Sequence, residues 1–321
     1  MVIKMEYLWI LVVIVCLIIL VFLVAWICYR LAFFARKEPE TQEFPIPPGK
    51  IYEPYRQTMV GWMKEARQIV KEEFEITSFD GLKLHAKYYE YAPGAVTEIM
   101  FHGYRGNAER DLCGGVQRCF SIGRNALIVD QRGCGKSEGK VISFGINEHK
   151  DCLAWVDFAV KHFGSDIKLV LCGISMGAST VLTAAGKKLP ENVVGILADC
   201  GYSDAKAIIK KVIRQMHLPA NLLYPFVRLG AKIYGGFDLE ETSPIKELPK
   251  CKLPVIFFHG EADDFVPCEM SVKNHQVCIS PKQLVTVKGA GHGLAYLVDP
   301  EEYLNKICDF FSQNGVETKR V

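Results

Sequence analysis

The amino-acid sequence predicts an α/β protein: an eight-stranded, mostly parallel, doubly wound sheet with a helical cap, preceded by one N-terminal transmembrane helix. Three observations carry that prediction. After Phe74, short apolar runs alternate with longer amphipathic ones, the rhythm of repeated strand–helix units. The run Leu8–Tyr29 holds no charge. The connection at about 201–250 is longer than its neighbours, as a lid over the strand ends would require. The chain therefore divides into residues 1–37, a membrane anchor with its flanks, and 38–72, a proline-rich linker with an amphipathic helix. Residues 73–315 form the sheet domain.

Composition narrows the class. At 321 residues, half of them apolar, the chain can bury one large core. Its 38 basic and 36 acidic residues leave a net charge of +2 with no long run of one sign, so no nucleic-acid footprint is expected. The twelve cysteines are scattered and include no Cys-x-x-Cys pair. That pattern fits small buried hydrophobes in a reducing compartment better than disulfides or a metal site.

As a helix, Leu8–Tyr29 would extend about 33 Å, against about 30 Å for a hydrocarbon core. Tyr7 and Trp9 at one end, and Trp26 and Tyr29 at the other, suit the two interfaces. A cleavable signal peptide is the rival, but the apolar region is long for one and no A-x-A-like site follows. Arg30, Arg36 and Lys37 follow the span and only Lys4 precedes it, which directs the domain of a single-pass protein of the cell membrane toward the cytoplasm. The stretch Glu38–Gly49 carries four prolines and reads as an extended spacer. Apolar residues at helical spacing, Met59, Trp62, Met63, Ile69 and Val70, fall within Tyr55–Phe74.

Strands are expected at Glu73–Ser78, Leu82–Tyr91, Thr97–Phe101, Ala126–Val129, Lys168–Cys172, Val193–Ala198, Val255–Phe258 and Leu284–Val287. The first two are joined by a hairpin-like Phe79-Asp80-Gly81 turn. Helices are expected at Asn107–Ile122, Asn147–Phe163, Met176–Lys188, Cys268–Cys278 and Pro300–Ser312. The long insertion holds a basic helix, Ser203–Met216, and an aromatic-apolar one, Asn221–Tyr234. Reactive groups of such a sheet gather at the strand carboxyl ends.

There the strand Lys168–Cys172 runs into Gly173-Ile174-Ser175-Met176-Gly177 and then a helix. Glycines allow the sharp bend that exposes the serine hydroxyl, and the Met176 amide at the helix start can donate to an oxyanion. Downstream, a strand ends in His259-Gly-Glu-Ala-Asp263-Asp264 and the last one in Gly291-His292-Gly293. In the chain order Ser, acid, His, His292 would be the general base and Asp263 its partner, with Asp264 and, more distantly, Asp199 as rivals. The loop Phe101-His102-Gly103-Tyr104 should supply a second oxyanion donor, the Tyr104 amide, its phenol a possible extra. His102 would brace that loop and His259 would be structural. Gly135-Lys136-Ser137 resembles the end of a phosphate loop, but Asp130 stands where its first glycine is needed.

Five motifs in order, His102-Gly-Tyr, Asp130-x-Arg-Gly-x-Gly-x-Ser137, Gly173-x-Ser-x-Gly177, His259-Gly-x-x-Asp263-x-x-Val-Pro267 and Gly291-His-Gly293, resemble the α/β-hydrolase superfamily. The likeness, over roughly Glu73–Phe311, is to its membrane-anchored serine aminopeptidase / prolyl-oligopeptidase-like members of bacterial type. It implies Ser175, Asp263 and His292 as a triad, Asp263 preferred to Asp264, with Tyr104 and Met176 as the oxyanion hole and no metal or cofactor. The expected activity is hydrolysis of an acyl ester or thioester on a small-molecule or lipid-like substrate, the latter suggested by Leu222, Leu223, Tyr224 and Phe226 of the insertion. A peptidase or amidase that binds a free amino terminus, to which Asp238, Glu240 and Glu241 could contribute, is the alternative. A catalytically idle, membrane-bound binding module is a further one.

Overall fold

The computed structural model describes residues 5–36 and 43–321. Lys4 and Lys37, on which the sidedness expectation leans, lie outside the described residues. The first helix, α1 (Met5–Ala32), contains no proline or glycine, and its stretch Tyr7–Ala32 is long and apolar enough to cross a membrane. Beyond it the chain joins the domain: Phe34 bridges to Val141, and the Ile142 N–H donates to the Phe33 carbonyl at 2.8 Å.

The helical spacing read over Tyr55–Phe74 covers two elements. Helix α2 (Arg56–Gln68) buries Met59, Met63 and Ala66, and then period-two alternation takes over in β1 (Glu72–Thr77), where Phe74 turns inward. The other strands are β2 (Lys83–Tyr89), β3 (Thr97–Phe101), β4 (Asn125–Val129), β5 (Leu169–Ile174), β6 (Val193–Asp199), β7 (Val255–Gly260) and β8 (Lys282–Val287). They form one eight-stranded sheet in the order β1-β2-β4-β3-β5-β6-β7-β8. Pairs β1–β2 and β2–β4 are antiparallel and the rest parallel.

Every residue of β3 and β4 is buried, because helices cover both faces. On one side lie α5 (Glu148–Phe163) and α6 (Met176–Ala184), with Trp155, Val156, Val181 and Leu182 packed inward. On the other lie α3 (Ala108–Asp111), α4 (Cys113–Phe120) and, from the chain's end, Pro300–Gln313 with Leu304, Ile307 and Phe311. Burying each such side chain contributes about 1.5–3 kcal/mol.

The helix expected over Asn107–Ile122 is broken at Leu112, whose backbone leaves the helical region. Two glycines follow the break and let α4 approach its neighbours: a Cβ on Gly114 would lie 2.7 Å from the Trp62 ring, and one on Gly115 would lie 2.8 Å from the Met100 sulfur. The long insertion is helical, with α7 (Ala205–Gln215), α8 (Ala220–Gly230), a π-turn at Ala231–Gly235 and α9 (Pro244–Glu247). Ile208 of α7 clusters with Met176 and Val266, which follow β5 and β7. One apolar face of the insertion's helices is occupied, since Ile209, Ile213, Tyr224, Val227 and Phe237 cluster with Tyr29 and Phe33 of the first helix and its exit. Helix α10 (Glu269–Val277) precedes β8, and α11 (Ala295–Val298) and α12 (Pro300–Gln313) end the fold.

Candidate active site

Ser175 occupies the turn between β5 and α6 with φ +56° and ψ −116°, a conformation that costs a non-glycine residue on the order of 1–3 kcal/mol. Packing enforces it. A Cβ on Gly177 would lie 1.9 Å from the Phe101 carbonyl oxygen, so α6 can start this close to β3 only with glycine there. The Ser175 N–H donates to the Asp199 carbonyl at 2.8 Å and ties the turn to the end of β6.

His292 reaches this serine from the loop after β8. Its Nε2 is 2.9 Å from Ser175 Oγ, and its Nδ1 is 2.7 Å from Asp263 Oδ2. Asp263 Oδ1 accepts from the N–H groups of Phe265 and Val266 at 2.9 and 2.8 Å. Burial alone would raise the Asp263 pKa, but hydrogen bonds from His259, His292 and the Val266 N–H hold it well below the usual carboxylate range. An ionised Asp263 can only accept, so His292 Nδ1 carries the proton and its Nε2 is free to accept the serine proton.

Asp264 takes no part in this chain of bonds; its carbonyl accepts from the Lys211 ammonium. Asp199 turns its carboxylate to the Tyr303 hydroxyl at 2.9 Å. His259 is more than structural. Buried at the end of β7, its Nε2 lies 2.8 Å from the Val266 carbonyl and 3.3 Å from Asp263 Oδ2, and its Nδ1 lies 2.6 Å from Ser271 Oγ. It is a second imidazole on the same carboxylate. Its spacing to Asp263 was visible in the sequence, but nothing there showed that the ring turns back. His102 is buried and donates from Nδ1 to the Gly103 carbonyl while its Nε2 accepts from the Gln131 N–H, so it holds the loop after β3.

Met176 opens α6, where backbone N–H groups lack intrahelical partners, and among the described residues no hydrogen bond engages the Tyr104 N–H either. The Tyr104 phenol, however, points away from the serine and donates to the Ala32 carbonyl at 2.7 Å. Burial raises its pKa to about 12. The neighbouring Arg105 guanidinium donates to the Leu31 and Phe34 carbonyls at 2.7 and 3.2 Å.

A cavity of about 1260 Å³ opens beside Ser175. Its apolar wall comes from α2, through Met59, Trp62 and Met63, together with Met100, Cys113 and Leu297. Pro45, Pro47 and Pro48 line it as well, and the Tyr52 hydroxyl donates to the His292 carbonyl at 3.0 Å. Among the described residues none from 201–250 lines it, so Leu222, Leu223, Tyr224 and Phe226 do not face substrate space. Asp238 pairs with Arg228 and Lys232, Glu240 with Lys206, and Glu241 with Lys150, leaving no free acidic pair for an amine.

The Asp130–Ser137 turn folds around its own carboxylate, which accepts from the Ala108 and Lys136 N–H groups at 2.9 Å each, and no anion cradle results. The Cys200 thiol lies within 4.8 Å of the Asp263 and His292 ligand atoms. Burial raises its pKa well above the ordinary value, so it is a neutral thiol and a poor metal ligand.

The sequence matches the family model described as alpha/beta hydrolase fold over residues 99–237. It is 29% identical to YqkD of Bacillus subtilis over 78% of this chain and 83% of that one. It is 26% identical to bem46 of Schizosaccharomyces pombe over 69% of each. The structure is similar to that of a Pyrococcus furiosus esterase, with a TM-score of 0.63 at 22% identity, covering 84% of this chain and 97% of the other. The family match spans the strand, turn and helix around Ser175, and the chain has the alpha/beta hydrolase fold.

Proposed function

We propose that this protein is a membrane-anchored serine hydrolase that cleaves acyl esters or thioesters. The observation that carries the reading is the run of hydrogen bonds from Ser175 Oγ through His292 to Asp263, at the mouth of a cavity with an apolar wall. In the reaction, His292 Nε2 takes the Ser175 proton as Oγ attacks the substrate carbonyl. The Met176 and Tyr104 amides receive the oxyanion. Collapse of the tetrahedral species expels the alcohol or thiol, protonated by His292, and leaves an acyl-serine. Water, deprotonated by the same imidazole, then releases the acid and restores Ser175. Asp263 holds the Nδ1 tautomer and stabilises the imidazolium throughout.

The apolar α2 wall suits an acyl chain better than a polar peptide. The esterase named among the structural relatives points the same way. The peptidase reading loses the residues expected to bind a free amine, since the acidic residues of the insertion are paired away from the cavity. A purely scaffolding role would not explain a strained serine bonded to a histidine. Helix α1 supplies the anchor. Turnover of chromogenic esters of increasing chain length, set against aminoacyl amides, tests the proposal on the full chain in detergent. Ester turnover lost in Ser175→Ala supports it, and amide turnover alone replaces it with the peptidase.

A further inference from the structure

The apolar segment of α1 is longer than the part of it that stands free. From Tyr7 to Leu23 its side chains are exposed, whereas Ala25 is 0% exposed and Tyr29 is buried. The covering element is α8 with the π-turn behind it. A Cβ on Gly230 would lie 2.3 Å from the Ala25 carbonyl oxygen. The Tyr29 and Tyr234 rings are 5.9 Å apart, and the Tyr234 hydroxyl donates to the Phe22 carbonyl at 3.2 Å. Phe22 lies about 10 Å along the helix from Tyr29, at 1.5 Å per residue. Because α1 is uncovered up to Leu23, α8 runs back along its later turns, and the end of α8 with the π-turn reaches furthest toward the free part of the span.

Tyr7–Leu23 alone measures about 26 Å, short of the about 30 Å of a hydrocarbon core. The bilayer must then extend over the part of α1 that α8 and its turn already flank. The outer face of that element suits the position. Leu222, Pro225, Leu229 and Ile233 recur at helical spacing on the side opposite the buried Tyr224, Val227 and Ala231, and Leu222 and Ile233 are 64% and 46% exposed. A helix apolar on both faces is at home inside a core or in lipid, and here one face has protein and the other has none. The charges beside the stripe, Arg228, Lys232 and Asp238, are paired with one another, which lowers the cost of placing them at headgroup depth.

We propose that the end of α8 and its π-turn are seated in the membrane, with Leu229 and Ile233 against lipid acyl chains. The insertion then braces the anchor at its point of exit and turns the carboxyl edge of the sheet, with Ser175, toward the bilayer. This rests on α1 being a membrane anchor.

The test is photocrosslinking of the full chain in phosphatidylcholine/phosphatidylglycerol vesicles, with p-benzoylphenylalanine placed singly at 18, 233 or 279. Ile18 lies in the free span, and Ile279, 73% exposed, precedes β8 at the opposite end of the strands. Lipid adducts at positions 18 and 233, each about tenfold above position 279, are the expected result. An adduct at 18 with position 233 no higher than 279 overturns the proposal and leaves the anchor standing. No adduct at 18 overturns the anchor reading itself, and the proposal with it.

Discussion

The Tyr104 phenol donates a hydrogen bond to the carbonyl of Ala32, joining the loop that offers the candidate oxyanion amide to the last turn of the apolar helix. Arg105 adds two bonds to the same helix end. The end of the first helix is thus bonded to the loop beside Ser175. Deleting residues 1–21 is predicted to preserve the folded, active domain. Deleting 1–36 would bare the cluster of Ile209, Tyr224 and Phe237 and free the loop, with loss of turnover and of cooperative unfolding. Tyr104→Phe, which removes only the phenol bond, is predicted to lower kcat about tenfold, the equivalent of about 1.4 kcal/mol, and to leave stability nearly intact. Comparing kcat with thermal unfolding for the three proteins checks this.

The Asp263 carboxylate fixes which nitrogen of His292 carries the proton. Asp263→Asn would lower kcat by a factor of about 10⁴ with the backbone unchanged, through the wrong tautomer. His259 shares that carboxylate, so His259→Gln is predicted to cost about tenfold in kcat with KM unchanged, a split that steady-state kinetics on one ester resolves.

The buried Glu98 on β3 pairs with both Arg118 and Arg124, at 2.7 Å for Arg124. Burial alone would raise its pKa, but the two guanidinium groups outweigh that and lower it to about 2. A depressed folded-state pKa means the stabilisation is present above the unfolded value of 4.5 and is lost as pH falls from there toward 2. Glu98→Gln leaves two arginines without their carboxylate and is predicted to cost about 3–5 kcal/mol. Thermal unfolding between pH 7 and pH 3 should show the wild-type protein losing its advantage over the variant as acid is added.

Trp62 stacks on Tyr296 at 5.7 Å and forms part of the cavity wall. Trp62→Ala is predicted to shift the ester optimum toward longer acyl chains and to lower KM for them about threefold, with kcat for short esters unchanged. A chain-length series measures this directly.

The eight strands were legible in the sequence because the first two alternate inward apolar residues with polar ones and the later ones, covered on both faces, are short apolar runs. The candidates Ser175, Asp263 and His292 stood out because each follows a strand end in a turn. What local pattern could not show was which surface each helix would meet. The stripe of Met59, Trp62 and Met63 is the same whether α2 stands before the domain or forms the wall of its cavity. Leu222 and Phe226 read as a lid until the first helix is seen to occupy the neighbouring face. The second partner of Asp263 escaped for the same reason: the turn of His259 back onto the carboxylate is set by Val266 and Ser271, which no periodicity encodes.

If Ser175 is an activated nucleophile, treating the full chain with a fluorophosphonate and locating the adduct by peptide mass mapping will show it. One stoichiometric adduct on Ser175, abolished in His292→Ala, is the expected result. Absence of an adduct in the folded protein, or an adduct on another residue such as Ser179, would contradict it.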